Sequence, residues 1–105
     1  MAGKTDYPTL VKAKLDVTGR LIRAGRCSRM KQDELATRSG VSRATTQRLE
    51  RGDPTVAWST VLVACWLLDV PSDPDVLTDA EYTELMVRGE FAKRVRNRAG
   101  PDDNF

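Results

Sequence analysis

Between Pro54 and Pro71 the chain carries VAWSTVLVACWLLDV, a run so apolar that a helix made from it has almost no face to give to water. It falls short of the roughly 18 residues that a membrane-spanning helix needs, so the sequence predicts a buried helix around which other elements pack. At 105 residues there is room for one such core. No stretch alternates polar and apolar residues long enough to make a convincing strand, and the expected fold is all-α.

The elements that cover this run are read from periodicity and end signals. Residues 1–8 are polar, contain Pro8, and read as a loose N-terminal arm. Helix 1 is expected over 9–27, with Leu10, Val17, Leu21, Ala24 and Ser28 near one face; Gly25 inside its last turns costs about 1 kcal/mol relative to alanine. Helix 2, over 32–39, has Asp33 and Glu34 in its first turn and Gly40 just past its last, the arrangement the helix dipole and C-cap favour. Ser42 suits the cap of helix 3, over 43–51, which Gly52-Asp53-Pro54 stops. Helix 4 is the apolar run, over 58–69. The capping-box spacing of Thr78 and Glu81 starts helix 5 over 79–88, carrying Tyr82, Leu85 and Met86 toward the core. After Gly89 the pattern dissolves, so the domain is expected to span 9–90, and 91–105 reads as a flexible C-terminal tail.

The net charge of +2 conceals a division. Residues 12–51 hold eleven Lys or Arg against four acids, whereas residues 52–90 hold one base, Arg88, against eight acids. A chain sorted this way turns a basic surface toward a polyanion and keeps its acidic part away. Catalysis has little to work with: there is no histidine, no phosphate-binding loop and no nucleophile beside a base. Cys27 and Cys65 lack CxxC spacing, so reduced thiols are expected, with no metal, disulfide or cofactor. The start, MAGKTDYP, lacks the apolar stretch of a secretion signal, and a cytoplasmic, nucleoid-associated protein is expected.

Helix 3 separates into two faces at 100° per residue. Arg43, Ala44, Gln47 and Arg48 fall within about 140° of one another, and Thr45, Thr46 and Leu49 take the opposite side. The first face suits a major groove. Arginine can donate twice to guanine O6 and N7, glutamine can pair with adenine, and the Ala44 methyl can lie against a thymine methyl.

The ordered set Gln32, Glu34-Leu35-Ala36, Gly40-Val41-Ser42, Leu49-Glu50-Arg51-Gly52 and Ser59-Thr60 carries a family likeness. Residues 17–70 resemble the lambda-repressor-like, or XRE-type, helix-turn-helix family. The resemblance implies a five-helix domain, repression of transcription, and binding of double-stranded DNA in the major groove. It implies that Arg43, Ala44 and Arg48, with Gln47 beside them, face base edges. Gln32, Ser42, Thr45 and Arg51 would hold phosphates, and Lys31, standing where the family usually caps helix 2 with Thr or Ser, adds a cation near them. Thr46 replaces a usual apolar β-branched residue. Gly25 stands where the family often has an arginine paired with the Glu50 equivalent, which leaves Glu50 to Arg26, to Arg29 or to solvent.

Val63 and Trp66 occupy positions where relatives commonly carry polar residues. With Val70 nearby they are expected to form a homodimer interface, matched to a palindromic operator. The tryptophan of helix 4 and the ending KRVR, then DDNF, are similar to HipB-like antitoxins, which implies autoregulation and a HipA-like kinase toxin as partner. Two alternatives stand beside this reading: a phage or plasmid repressor without a toxin, and a protein-interaction module that has lost DNA binding.

Overall fold

The computed structural model describes residues 7–99. Most of the arm expected at 1–8, and residues 100–105 of the expected tail, lie outside them. Among the described residues the chain is all-helical: α1 (Thr9–Cys27), α2 (Gln32–Ser39), α3 (Arg43–Glu50), α4 (Trp58–Leu68) and α5 (Asp79–Ala99), with a 3-10 turn at Pro74–Val76 before α5. None of these helices is long and apolar enough to cross a membrane.

Local chemistry accounts for most of the ends. Gly40 closes α2 in the left-handed region at φ 73°, a conformation that a side chain would strain, and Val41 N–H then reaches back to Ala36 O at 3.0 Å. Ser42 caps α3 by accepting from Thr45 N–H at 3.1 Å. Ahead of α5, Thr78 Oγ1 accepts from Glu81 N–H at 3.1 Å while Glu81 Oε1 accepts from Thr78 N–H at 2.8 Å, a complete capping box. The bonds from Thr78 hold the Glu81 carboxyl below its ordinary pKa. By contrast Lys31 precedes α2 without a side-chain cap.

The core lies among α1 to α4 and gathers Ile22, Met30, Leu35, Leu49, Val61, Ala64, Cys65, Leu68 and Val70. Burial pushes the Cys65 thiol up to about 11, so it stays protonated at neutral pH. Helix α1 is covered on two sides. Thr18, Ile22 and Arg26 line one buried row, and Leu21 and Ala24 a second row beside it. The expected face 10-17-21-24-28 captured only part of this: Leu10 is 72 % exposed and Ser28 is exposed, because the core-facing row runs one position further along. Helix α4 is likewise not buried all round. Val61, Ala64, Cys65 and Leu68 face inward, whereas Trp58, Leu62, Val63 and Trp66 face out.

The largest departure is α5, which continues to Ala99 rather than stopping at 88. Residues 91–99, expected in a flexible tail, are therefore helical. Gly89 looks like a terminator in the sequence, but its function is tertiary: α5 lies along α1, and a Cβ at Gly89 would sit 2.7 Å from Ala24 Cα and 2.8 Å from Ala24 O. Only glycine permits that approach. Tyr82, Leu85 and Met86 are half-buried on the docked side.

Gly89→Ala tests this packing through the sign of its effect. In an unconstrained helix the change gains up to about 1 kcal/mol from propensity. Here the added methyl meets backbone, and a loss of about 1–3 kcal/mol is expected, seen as a lower midpoint in thermal unfolding. An unchanged or raised midpoint would show that α5 is not seated on α1.

Candidate nucleic-acid interface

Helices α2 and α3 are joined by Gly40-Val41-Ser42, a turn short enough to set α3 across α2 with one side open. On α3, Thr46, Leu49 and Glu50 are buried, so the opposite edge is fixed as the outer one. Ala44 and Gln47 are exposed there, and Arg43 and Arg48 are partly exposed beside them. Thr45 is half-buried, and its hydroxyl shares a 3.0 Å hydrogen bond with Ser42 Oγ. Ser42 is thus engaged as the helix cap at the rim of this edge. Arg51 is exposed at the C-cap, and Lys31 is exposed at the start of α2.

Below the outer edge runs a chain of buried polar contacts. Arg26 of α1, 1 % exposed, donates through Nε to Glu50 Oε2 at 2.5 Å and through Nη2 to Glu50 Oε1 at 3.2 Å. Of the bases open to Glu50, Arg26 is therefore the one that takes it. Gln32 Nε2 donates to the same Oε1 at 3.2 Å, and Gln32 Oε1 accepts from Arg43 Nε at 3.3 Å. Three helices are tied through one carboxylate, and the last link is a side chain on the outer edge. Gln32, expected to hold a phosphate, is buried instead, because both ends of its amide are engaged inside this network.

Both outer arginines also have an acidic neighbour. Arg43 Nε lies 3.5 Å from Asp33 Oδ1, and Arg48 Nε lies 3.4 Å from Asp53 Oδ2. Asp53 is in turn fixed by Thr55, whose hydroxyl and N–H donate to Oδ1 at 2.6 and 2.8 Å. Those bonds, with help from Arg48, hold the Asp53 carboxyl below its ordinary pKa.

Reading the sequence missed three residues at this edge. Arg23, on α1, lines with Gln32, Gln47, Glu50 and Arg51 a cleft of about 300 Å³. Its signal was the basic surplus of residues 12–51, which marked a surface for a polyanion without singling out Arg23. Asp53 was read only as part of the Gly52-Asp53-Pro54 stop, and Thr55 was given no role.

The residues expected at a dimer interface divide. Trp66 is 79 % exposed and Val63 is exposed, and Leu62 and Trp58 extend the same apolar patch along α4. Val70 does not belong to it. The chain turns inward after α4, and Val70 is buried in the core beside Gly25 of α1.

Among known proteins, a family model described as a helix-turn-helix domain matches residues 17–78, more than half of the chain. None of the curated proteins and none of the solved structures compared with the chain matches it.

Arg26→Met measures the weight of the buried pair. It leaves Glu50 charged, buried and short of its principal partner, and a loss of about 3–5 kcal/mol in urea unfolding is expected. The double change Arg26→Met with Glu50→Met removes both charges and should recover most of that loss. A single-variant loss under about 1 kcal/mol would mean that water reaches Glu50.

Proposed function

The chain belongs to the helix-turn-helix domain family, and on that footing we propose that it binds double-stranded DNA sequence-specifically, with α3 in the major groove. The observation that carries this reading is the outer edge of α3, where Arg43, Ala44, Gln47 and Arg48 stand together while Thr46, Leu49 and Glu50 anchor the helix from behind. In that pose the two guanidinium groups and the amide reach base edges. Lys31, Ser42, Thr45 and Arg51 lie around the flanking phosphates, with Arg23 added from α1.

The same proposal makes the protein a repressor that acts by occupying its operator as a dimer. A patch containing two exposed tryptophans with Leu62 and Val63 suits a two-fold contact, and a dimeric reader matches half-sites about one DNA turn apart. The finer assignment is an autoregulatory HipB-like antitoxin with a HipA-like kinase toxin as partner. A second apolar row on α5, made by Val87, Phe91 and Val95, supports it by giving a dimer a further surface for protein.

Base reading and phosphate holding are separable by mutation. Arg48→Ala should weaken the preferred site by about 1–3 kcal/mol per half-site and relax preference at one base pair of each half-site. Arg51→Ala should weaken all sequences alike and make the salt dependence shallower by about two in log–log slope, roughly one for each subunit of the dimer. Binding of both variants to a panel of single-base-pair substitutions tells the two apart; an Arg48→Ala protein that keeps every base preference contradicts the placement of α3. For the dimer, Trp66→Glu should give a monomer in sedimentation and lower operator affinity, since a charge would be buried without a partner. A wild type that is monomeric when it saturates its operator contradicts the interface.

A further inference from the structure

We propose that Asp53 and Thr55, in the loop after α3, form a rigid clamp that positions Arg48 for a guanine and so helps to set base specificity without touching DNA. The inference rests on the reading of α3 as the base-reading helix.

The clamp begins with the loop itself. Asp53 N–H donates to Arg48 O at 3.0 Å, which folds the chain back over the end of α3 and places the Asp53 carboxylate beside the Arg48 side chain. Oδ1 then takes both donors of Thr55, N–H at 2.8 Å and Oγ–H at 2.6 Å, so the carboxylate cannot swing freely. This leaves Oδ2 for Arg48 Nε, at 3.4 Å. The Thr55 hydroxyl, having spent its proton on Asp53, accepts from Arg48 Nη2 at 3.4 Å.

The edge of the guanidinium that is used matters. Nε and Nη2 form one side of the planar fork, and both face the clamp. The end of the fork, Nη1 with the outer hydrogen of Nη2, is the pair of donors that matches guanine O6 and N7. A long arginine otherwise loses rotamer freedom when it binds, and fixing one side beforehand removes part of that cost at the one site where the fork fits. A negative charge close to DNA also repels phosphates whatever the sequence. The clamp therefore weakens binding to all DNA slightly and favours the site with a guanine opposite Arg48. That opposition of effects is unlike a plain structural role, which would lower all binding together.

Asp53→Asn tests this with little change to the loop, since the amide oxygen still accepts from Thr55. Its binding is measured on the panel of single-base-pair substitutions, with Thr55→Val and the double variant Arg48→Ala/Asp53→Asn alongside, and unfolding midpoints confirm that each is folded. For Asp53→Asn, affinity for random DNA should rise. Discrimination at the base pair read by Arg48 should fall about fivefold, the scale of ordering one long side chain, while the ranking at other positions is kept. Thr55→Val should lower the same discrimination, and the double variant should discriminate no worse than Arg48→Ala alone. If Asp53→Asn keeps full discrimination at that pair, or loses it equally at every pair, the clamp is refuted while the reading of α3 stands. If Arg48→Ala itself leaves all preferences intact, the base-reading role of Arg48 falls, and the clamp with it.

Discussion

A guanidinium that is only 1 % exposed is tolerable inside a small domain because a carboxylate answers it with both oxygens, and in this chain Arg26 and Glu50 meet in that way. Two charges taken out of water at this depth cost several kcal/mol each, which only close geometry and further hydrogen bonds offset. Both conditions hold, with Gln32 supplying the additional donor. The pair fixes the end of α3 against α1, and Gln32 fixes the start of α2 against both. The spacing between the packing elements and the outer edge of α3 is thereby set by hydrogen bonds of definite length rather than by apolar contact alone, which tolerates sliding.

From this centre the polar chain extends outward to Arg43, while Arg48 is held from the other side by the loop that follows α3. The outer edge of α3 is thus tied by polar contacts on both flanks. Charge is arranged to the same end: the basic surplus lies in α1 to α3, and the acidic surplus in the region that includes α4 and most of the first half of α5. On the proposed function, an anionic partner is drawn to the basic helices, and the exposed apolar residues of α4 and α5 stand outside that contact.

Signals confined to a few neighbouring residues were legible in the sequence. Gly40 and Ser42 defined the turn, Thr78 and Glu81 the start of α5, and the outward placement of Ala44 and Gln47 followed from helix geometry alone. What depends on packing between distant segments was not. Gly89 has the local character of a stop, and only the proximity of Ala24 reveals why a glycine is needed in mid-helix. Val70 follows an exposed surface in the sequence but returns to the core, because the chain reverses after Asp69 in a left-handed conformation at φ 55°. Arg26 was one of two bases within reach of Glu50, and Gln32 stood at a helix start where an anion is commonly held; choosing between such partners requires the register of three helices. Asp53 belonged to a stop signal, and its side chain acquires meaning only once Arg48 is seen beside it.

The central claim is that the edge of α3 meets DNA, and its most direct test is an NMR titration of the isotope-labelled protein with a duplex selected from a random pool. The account predicts the largest shifts at the amides and side chains of Ser42, Arg43, Ala44, Gln47 and Arg48, smaller ones at Arg23, Lys31 and Arg51, and little change at Val87 and Phe91 on α5. Shifts centred on α5 or on the α4 patch, with the α3 edge unmoved, would contradict it.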